Sequence, residues 1–106
     1  MRKIETEMNA AISEGRDWSK ANTSVHWNED EGIAIVRLHG NKIAEIGEGF
    51  ITLFDGGWQS NTTKSRLNAL LDEFVPSMGI FQKNWTWFLS DRLDGSVVPF
   101  ANGVTL

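Results

Sequence analysis

Residues 33–57 read Ile33-Ala34-Ile35-Val36-Arg37-Leu38-His39-Gly40-Asn41-Lys42-Ile43-Ala44-Glu45-Ile46-Gly47-Glu48-Gly49-Phe50-Ile51-Thr52-Leu53-Phe54-Asp55-Gly56-Gly57. Three short runs stand out, Ile33–Leu38, Lys42–Ile46 and Phe50–Phe54, separated by His39-Gly40-Asn41 and Gly47-Glu48-Gly49. Runs this close, with Gly and Asn between them, predict an antiparallel meander, because parallel pairing needs long crossovers. Asp55-Gly56-Gly57 ends the sheet. Upstream, Ser24–Trp27 is a fourth short strand of the same group.

Helical periodicity flanks this block. Ile4, Met8, Ala11 and Ile12 fall on one stripe and predict a helix over 2–13, with Gly15 as its C-terminal cap. Residues 15–23 read as a polar connection anchored by Trp18. Leu67, Leu70, Leu71 and Phe74 predict a second helix over 62–74, started by Ser60 or Asn61 and closed by Pro76. Strand signals return at Ile80–Gln82, Trp85–Leu89, Val97–Phe100 and Val104–Leu106. Asp94-Gly95 and Asn102-Gly103 read as hairpin turns, since these residues tolerate positive φ. The expected order is α-β-β-β-β-α-β-β-β-β, an α+β fold with antiparallel sheets and two helices, in one compact domain over 1–106.

Composition narrows the function classes. The chain has 106 residues, five Trp, six Phe, no Tyr and no Cys, and 41% of it is hydrophobic. That is globular material, and the absence of cysteine excludes a disulfide scaffold and a thiolate metal or redox site. No apolar run reaches the ~18 residues of a membrane span, so a soluble intracellular protein with no membrane partner is expected. The net charge of −4 is too mild for a DNA mimic and lacks the basic face of a general nucleic-acid binder. Residues 56–90, with Lys64, Arg66 and Lys83 against Asp72 and Glu73, form the only net-positive segment. The acidic run Glu29-Asp30-Glu31 before Gly32 reads as a solvated turn.

Two stretches carry candidate binding residues. Gly57-Trp58-Gln59-Ser60-Asn61-Thr62-Thr63-Lys64-Ser65-Arg66 places a Trp and many small donors before a helix. Free N–H groups, hydroxyls and nearby cations there can form an anion or partner site. Capping by Asn61 or Thr62, with Trp58 packed over the first turn, explains the same residues. Lys64 and Arg66 diverge by ~200° around the helix, so an undistorted turn does not aim both at one phosphate. The second stretch, Trp85-Thr86-Trp87-Phe88, read as strand, sets both Trp on one face opposite Phe88. One apolar face then fills the core, and the other is covered, pairs with a second copy, or forms an exposed platform for a protein or for bases beside Lys83.

Catalysis finds little support. His26 and His39 are the only histidines, and no nucleophile–base spacing or Gly-x-Ser-x-Gly elbow is present. Asp91, Arg92 and Asp94 read as solvated loop charges. No metal or cofactor is expected.

Leu38-His39-Gly40-Asn41-Lys42-Ile43-Ala44, Gly57–Leu70, Ile80-Phe81-Gln82-Lys83 and Val98-Pro99-Phe100-Ala101-Asn102-Gly103 together resemble a widespread family of small bacteriophage-encoded proteins of uncharacterised function. The likeness covers nearly the whole chain. It implies a phage accessory protein made in the host cytoplasm, and it carries over no activity, cofactor or catalytic residue. Accessory proteins of this kind act by stoichiometric binding to a host enzyme, to a defence complex such as a CRISPR effector, or to nucleic acid. The leading expectation is a host-takeover or counter-defence protein using Trp58, Asn61, Thr62, Lys64 and Arg66. The alternatives are a single-stranded nucleic-acid binder using Trp85 or Trp87 with Lys83, Lys64 and Arg66, and a small enzyme with an unrecognised site.

Overall fold

The computed structural model describes residues 1–106. Its elements are α1 (Lys3–Glu14), β1 (Trp18–Lys20), β2 (Thr23–Asn28), β3 (Ile33–Leu38), β4 (Asn41–Gly47), β5 (Phe50–Leu53), α2 (Asn61–Phe74), β6 (Met78–Lys83), β7 (Thr86–Asp91), β8 (Val97–Pro99) and β9 (Val104–Thr105). They form a six-stranded sheet in the order β1-β2-β3-β4-β5-β9 and a three-stranded sheet in the order β6-β7-β8, all pairs antiparallel. The expected α+β class and the meander over 33–54 are borne out. One strand more is present than the sequence signals predict. Trp18–Lys20, expected as connection, pairs with β2 because Trp18 lies opposite Val25. With a single apolar side chain in three residues, its alternation is too short to register as a strand.

Alternation decides which face of the large sheet is covered. Val25, Ala34, Val36, Leu38, Ala44, Ile46, Ile51 and Leu53 are buried and share one face. A β-bulge after Val36 turns Ile43 inward as well, next to Ala44. Met8, Ala11 and Ile12 of α1 and Leu67, Leu70 and Leu71 of α2 fill the same core. Trp87, Leu89 and Ile80 of the small sheet join it, so one cluster of 19 buried residues spans both sheets and both helices. The other face of the large sheet carries His26, Arg37, Lys42, Glu45 and Thr52, a composition suited to water.

Polar side chains fix how the elements join. Gly15 adopts φ 68°, ψ 35° and ends α1 as expected. Ser60 Oγ accepts the Thr63 N–H (3.0 Å) and starts α2, so Ser60, rather than Asn61 or Thr62, is the cap. The Asn68 amide donates to Ile80 O (2.9 Å) and accepts Ile80 N–H (2.8 Å). It pairs the outer edge of β6 as a neighbouring strand would. Asn102-Gly103 does not close a β8–β9 hairpin, because those strands belong to different sheets. Asn102 Oδ1 instead accepts the Asp55 N–H (2.8 Å), and Gly103 N–H donates to Leu53 O (2.8 Å), carrying the chain from the small sheet to the large one.

Candidate interaction surface on the three-stranded sheet

The register of β6 and β7 determines what the small sheet shows to water. Lys83 pairs with Thr86, leaving Asn84 and Trp85 as the whole turn. Their φ values of 52° and 66° are those of a type I′ turn, which requires positive φ at both central residues. Asn tolerates that geometry, but the second position ordinarily favours Gly, and here it holds Trp. Trp85 therefore lies outside β7, and its side chain is 91% exposed. Trp87 is 1% exposed and packs edge-on to Phe100 at 5.5 Å. The expected shared face of Trp85 and Trp87 is corrected: the two-residue turn takes Trp85 out of the strand, and inward Trp87 and Leu89 set its register.

On the outer face of this sheet stand Phe81 and Lys83 of β6, Thr86, Phe88 and Ser90 of β7, and Val97 and Pro99 of β8. Phe81 and Phe88 stack at 5.5 Å with their planes 21° apart. Phe81, Lys83, Phe88 and Val97 line an open recess of about 320 Å³. Nothing in the chain covers it. Of seven exposed large apolar side chains, five (Phe81, Trp85, Leu93, Val97 and Val98) lie between residues 81 and 98. Of these, Phe81 and Val97 stand on the outer face, Trp85 and Leu93 lie in turns at its ends, and Val98, opposite Leu89, belongs to the inner face. Scattered exposed apolar residues are ordinary, whereas adjoining ones mark an interaction surface.

The expected site at the start of α2 is divided. Trp58 is 78% exposed, Asn61 is exposed, and Thr62 and Lys64 are half-buried. Trp58 borders a recess of about 250 Å³ shared with His39, Asn41 and Asp55. Arg66 is corrected from a surface cation to a buried one. It donates from Nη1 to Glu5 Oε2 (2.9 Å), from Nε to Thr23 Oγ1 (3.0 Å) and from Nη2 to Asn22 Oδ1 (3.3 Å). Ser65 Oγ donates to the same carboxylate (2.6 Å), and the Arg2 N–H to its other oxygen (3.1 Å). Burial raises the Glu5 pKa, but hydrogen bonds from Ser65, Arg2 and Arg66 together hold it below its ordinary value. This network locks α1, α2 and β2 together. The divergence of Lys64 and Arg66 has a structural use: one faces water and the other the core.

The histidines are apart. His26 Nδ1 lies 3.5 Å from Asp17 on the exposed edge of β2, and His39 sits in the β3–β4 turn at φ 52°. Phe81 and Val97 were not among the sequence candidates. Their signal was alternation across β6 and β8, legible only once the Asn84-Trp85 turn fixed the register.

Comparison with known proteins identifies the lineage. The family model described as Kyanoviridae Gp96 protein matches residues 1–106, the whole chain, and the chain belongs to that phage protein family. No curated protein and no solved structure matches it. The resemblance to small phage-encoded proteins is thereby borne out. No helix is long and apolar enough to cross a membrane.

Proposed function

We propose that this Kyanoviridae Gp96 family protein acts by stoichiometric binding to a protein of the infected bacterium, in host takeover or counter-defence, and that the outer face of β6-β7-β8 with Trp85 is its docking surface. The observation that carries this reading is Trp85, almost fully exposed on left-handed backbone at the tip of the hairpin that carries the open Phe81–Phe88 stack. Left-handed backbone costs a non-Gly residue about 1–2 kcal/mol, and an exposed side chain recovers little of that within the chain. A large aromatic held at a turn tip recovers it against a partner, where Trp anchors dominate binding energy.

A single-stranded nucleic-acid role would rest on Trp85 with Lys83 and half-buried Lys64, since Arg66 and Trp87 are buried. A few cations on a chain of net charge −4 supply little phosphate affinity. The test is affinity capture from infected-host extract with tagged wild type, Trp85→Gly, and an Arg37→Ala control on the far sheet. One protein should be retained by wild type and the control and lost with Trp85→Gly. Equal retention by all three would overturn the assignment of the surface.

A further inference from the structure

Lys83 stands on the rim of the Phe81–Phe88–Val97 recess and is the only charged side chain that lines it; the Arg92 guanidinium lies at the other end of the same face, against Gly79. It makes no ion pair or hydrogen bond within the chain. Lys20 and Lys42, by contrast, are paired with Glu7 at 3.0 Å and Glu45 at 3.3 Å. The recess is lined almost entirely by aromatic and aliphatic atoms, and at about 320 Å³ it is open rather than enclosed. That form suits side chains of a protein segment better than a small molecule, which needs a cleft that buries most of its surface.

We propose that this recess receives a segment of a partner protein that presents an aromatic or branched apolar side chain next to a carboxylate, the apolar group seating on Phe81, Phe88 and Val97 and the carboxylate pairing with Lys83. The inference rests on the docking reading above and adds the chemistry of the occupant. Charge complementarity selects it over a second copy of the chain, because the same face of a second copy brings a lysine and no acidic residue. It also disfavours a polyanion, because the recess itself offers successive phosphates one cation.

The test is a ¹H–¹⁵N NMR titration of the full chain with three blocked tripeptides carrying aspartate, asparagine or lysine between leucine and phenylalanine. The amides of Phe81, Lys83, Phe88 and Val97 should shift, and the aspartate peptide should bind about two- to fivefold more tightly than the asparagine one, the range of an exposed ion pair. That preference should vanish in Lys83→Gln and reverse toward the lysine peptide in Lys83→Glu. Equal affinities at the same amides would overturn the acidic preference while leaving the docking face standing. If no peptide moves those amides, the docking reading itself fails. A ten-residue oligothymidylate that shifts them at lower concentration than the aspartate peptide would overturn the proposal in favour of nucleic acid.

Discussion

Replacing Trp85 by Gly separates an exposed anchor from a packed one by the sign of a stability change. The left-handed backbone at φ 66° costs Trp about 1–2 kcal/mol, and Gly adopts it freely. Against that relief stands the small buried remainder of a side chain that is 91% exposed, about 0.5 kcal/mol at ~25 cal/mol per Å². The extra conformational freedom of Gly in the unfolded chain subtracts roughly another 0.5–1 kcal/mol. The sum lies within about 1 kcal/mol of neutral and leans to the stabilising side. Urea unfolding followed by far-UV circular dichroism should give a midpoint equal to or above wild type. In a chain of this size 1 kcal/mol corresponds to a Tm change of about 4–8 °C, so thermal melts resolve the same question. A buried Trp truncated this far loses more than about 3 kcal/mol. A loss above about 2 kcal/mol in Trp85→Gly would show that Trp85 packs on the fold, and the argument for a surface anchor would collapse.

The remaining predictions concern what holds that surface in place. Arg66→Met and Glu5→Gln each strand a buried partner of the α1–α2–β2 network, and Arg66→Met should cost about 3–5 kcal/mol in urea melts because it leaves a buried charge alone. The Glu5 carboxyl is held below its ordinary 4.5 in the folded chain, so its contribution is complete above that pH and is lost as pH falls through the folded value. Stability against pH should therefore drop below about 4.5, and Glu5→Gln should flatten part of that drop. Trp87 Nε1 is buried with no hydrogen-bond partner, so Trp87→Phe should cost under about 1.5 kcal/mol and Trp87→Ala about 3–5. Asn68→Ala leaves Ile80 N–H and C=O unpartnered; a loss of about 2 kcal/mol and faster hydrogen exchange at Ile80 are expected, and unchanged exchange would refute the edge-pairing role.

Elements with their own local pattern were legible in the sequence. Ile4, Met8, Ala11 and Ile12 repeat at helical spacing, and Gly40 and Gly49 mark turns of the meander, so α1 and the strands from β3 to β5 follow directly. Trp18–Lys20 has no such pattern, because it is a strand only through its pairing with β2. The candidate site was legible in composition and misassigned in detail. A turn of Asn84-Trp85 breaks the preference for Gly at its second position, so a local reading extends the strand through Trp85 and gives the two Trp one shared face, whereas one is exposed and the other buried. Arg66 shows the same limit. Its neighbours suggest a helix start rich in donors, and only the long-range approach of Glu5 and Thr23 makes it a core residue. Exposure of Phe81 and Val97 is likewise a property of the assembled sheet.

The account turns on the outer face of β6-β7-β8 being where a protein partner sits. Photo-crosslinking from a benzophenone side chain introduced singly at Trp85, Val97, Lys64 or Arg37, in infected host cells, tests this most directly. The account predicts one common crosslinked protein from positions 85 and 97 and none from Arg37 on the far sheet. Crosslinks confined to position 64, or equal at all four positions, would contradict it.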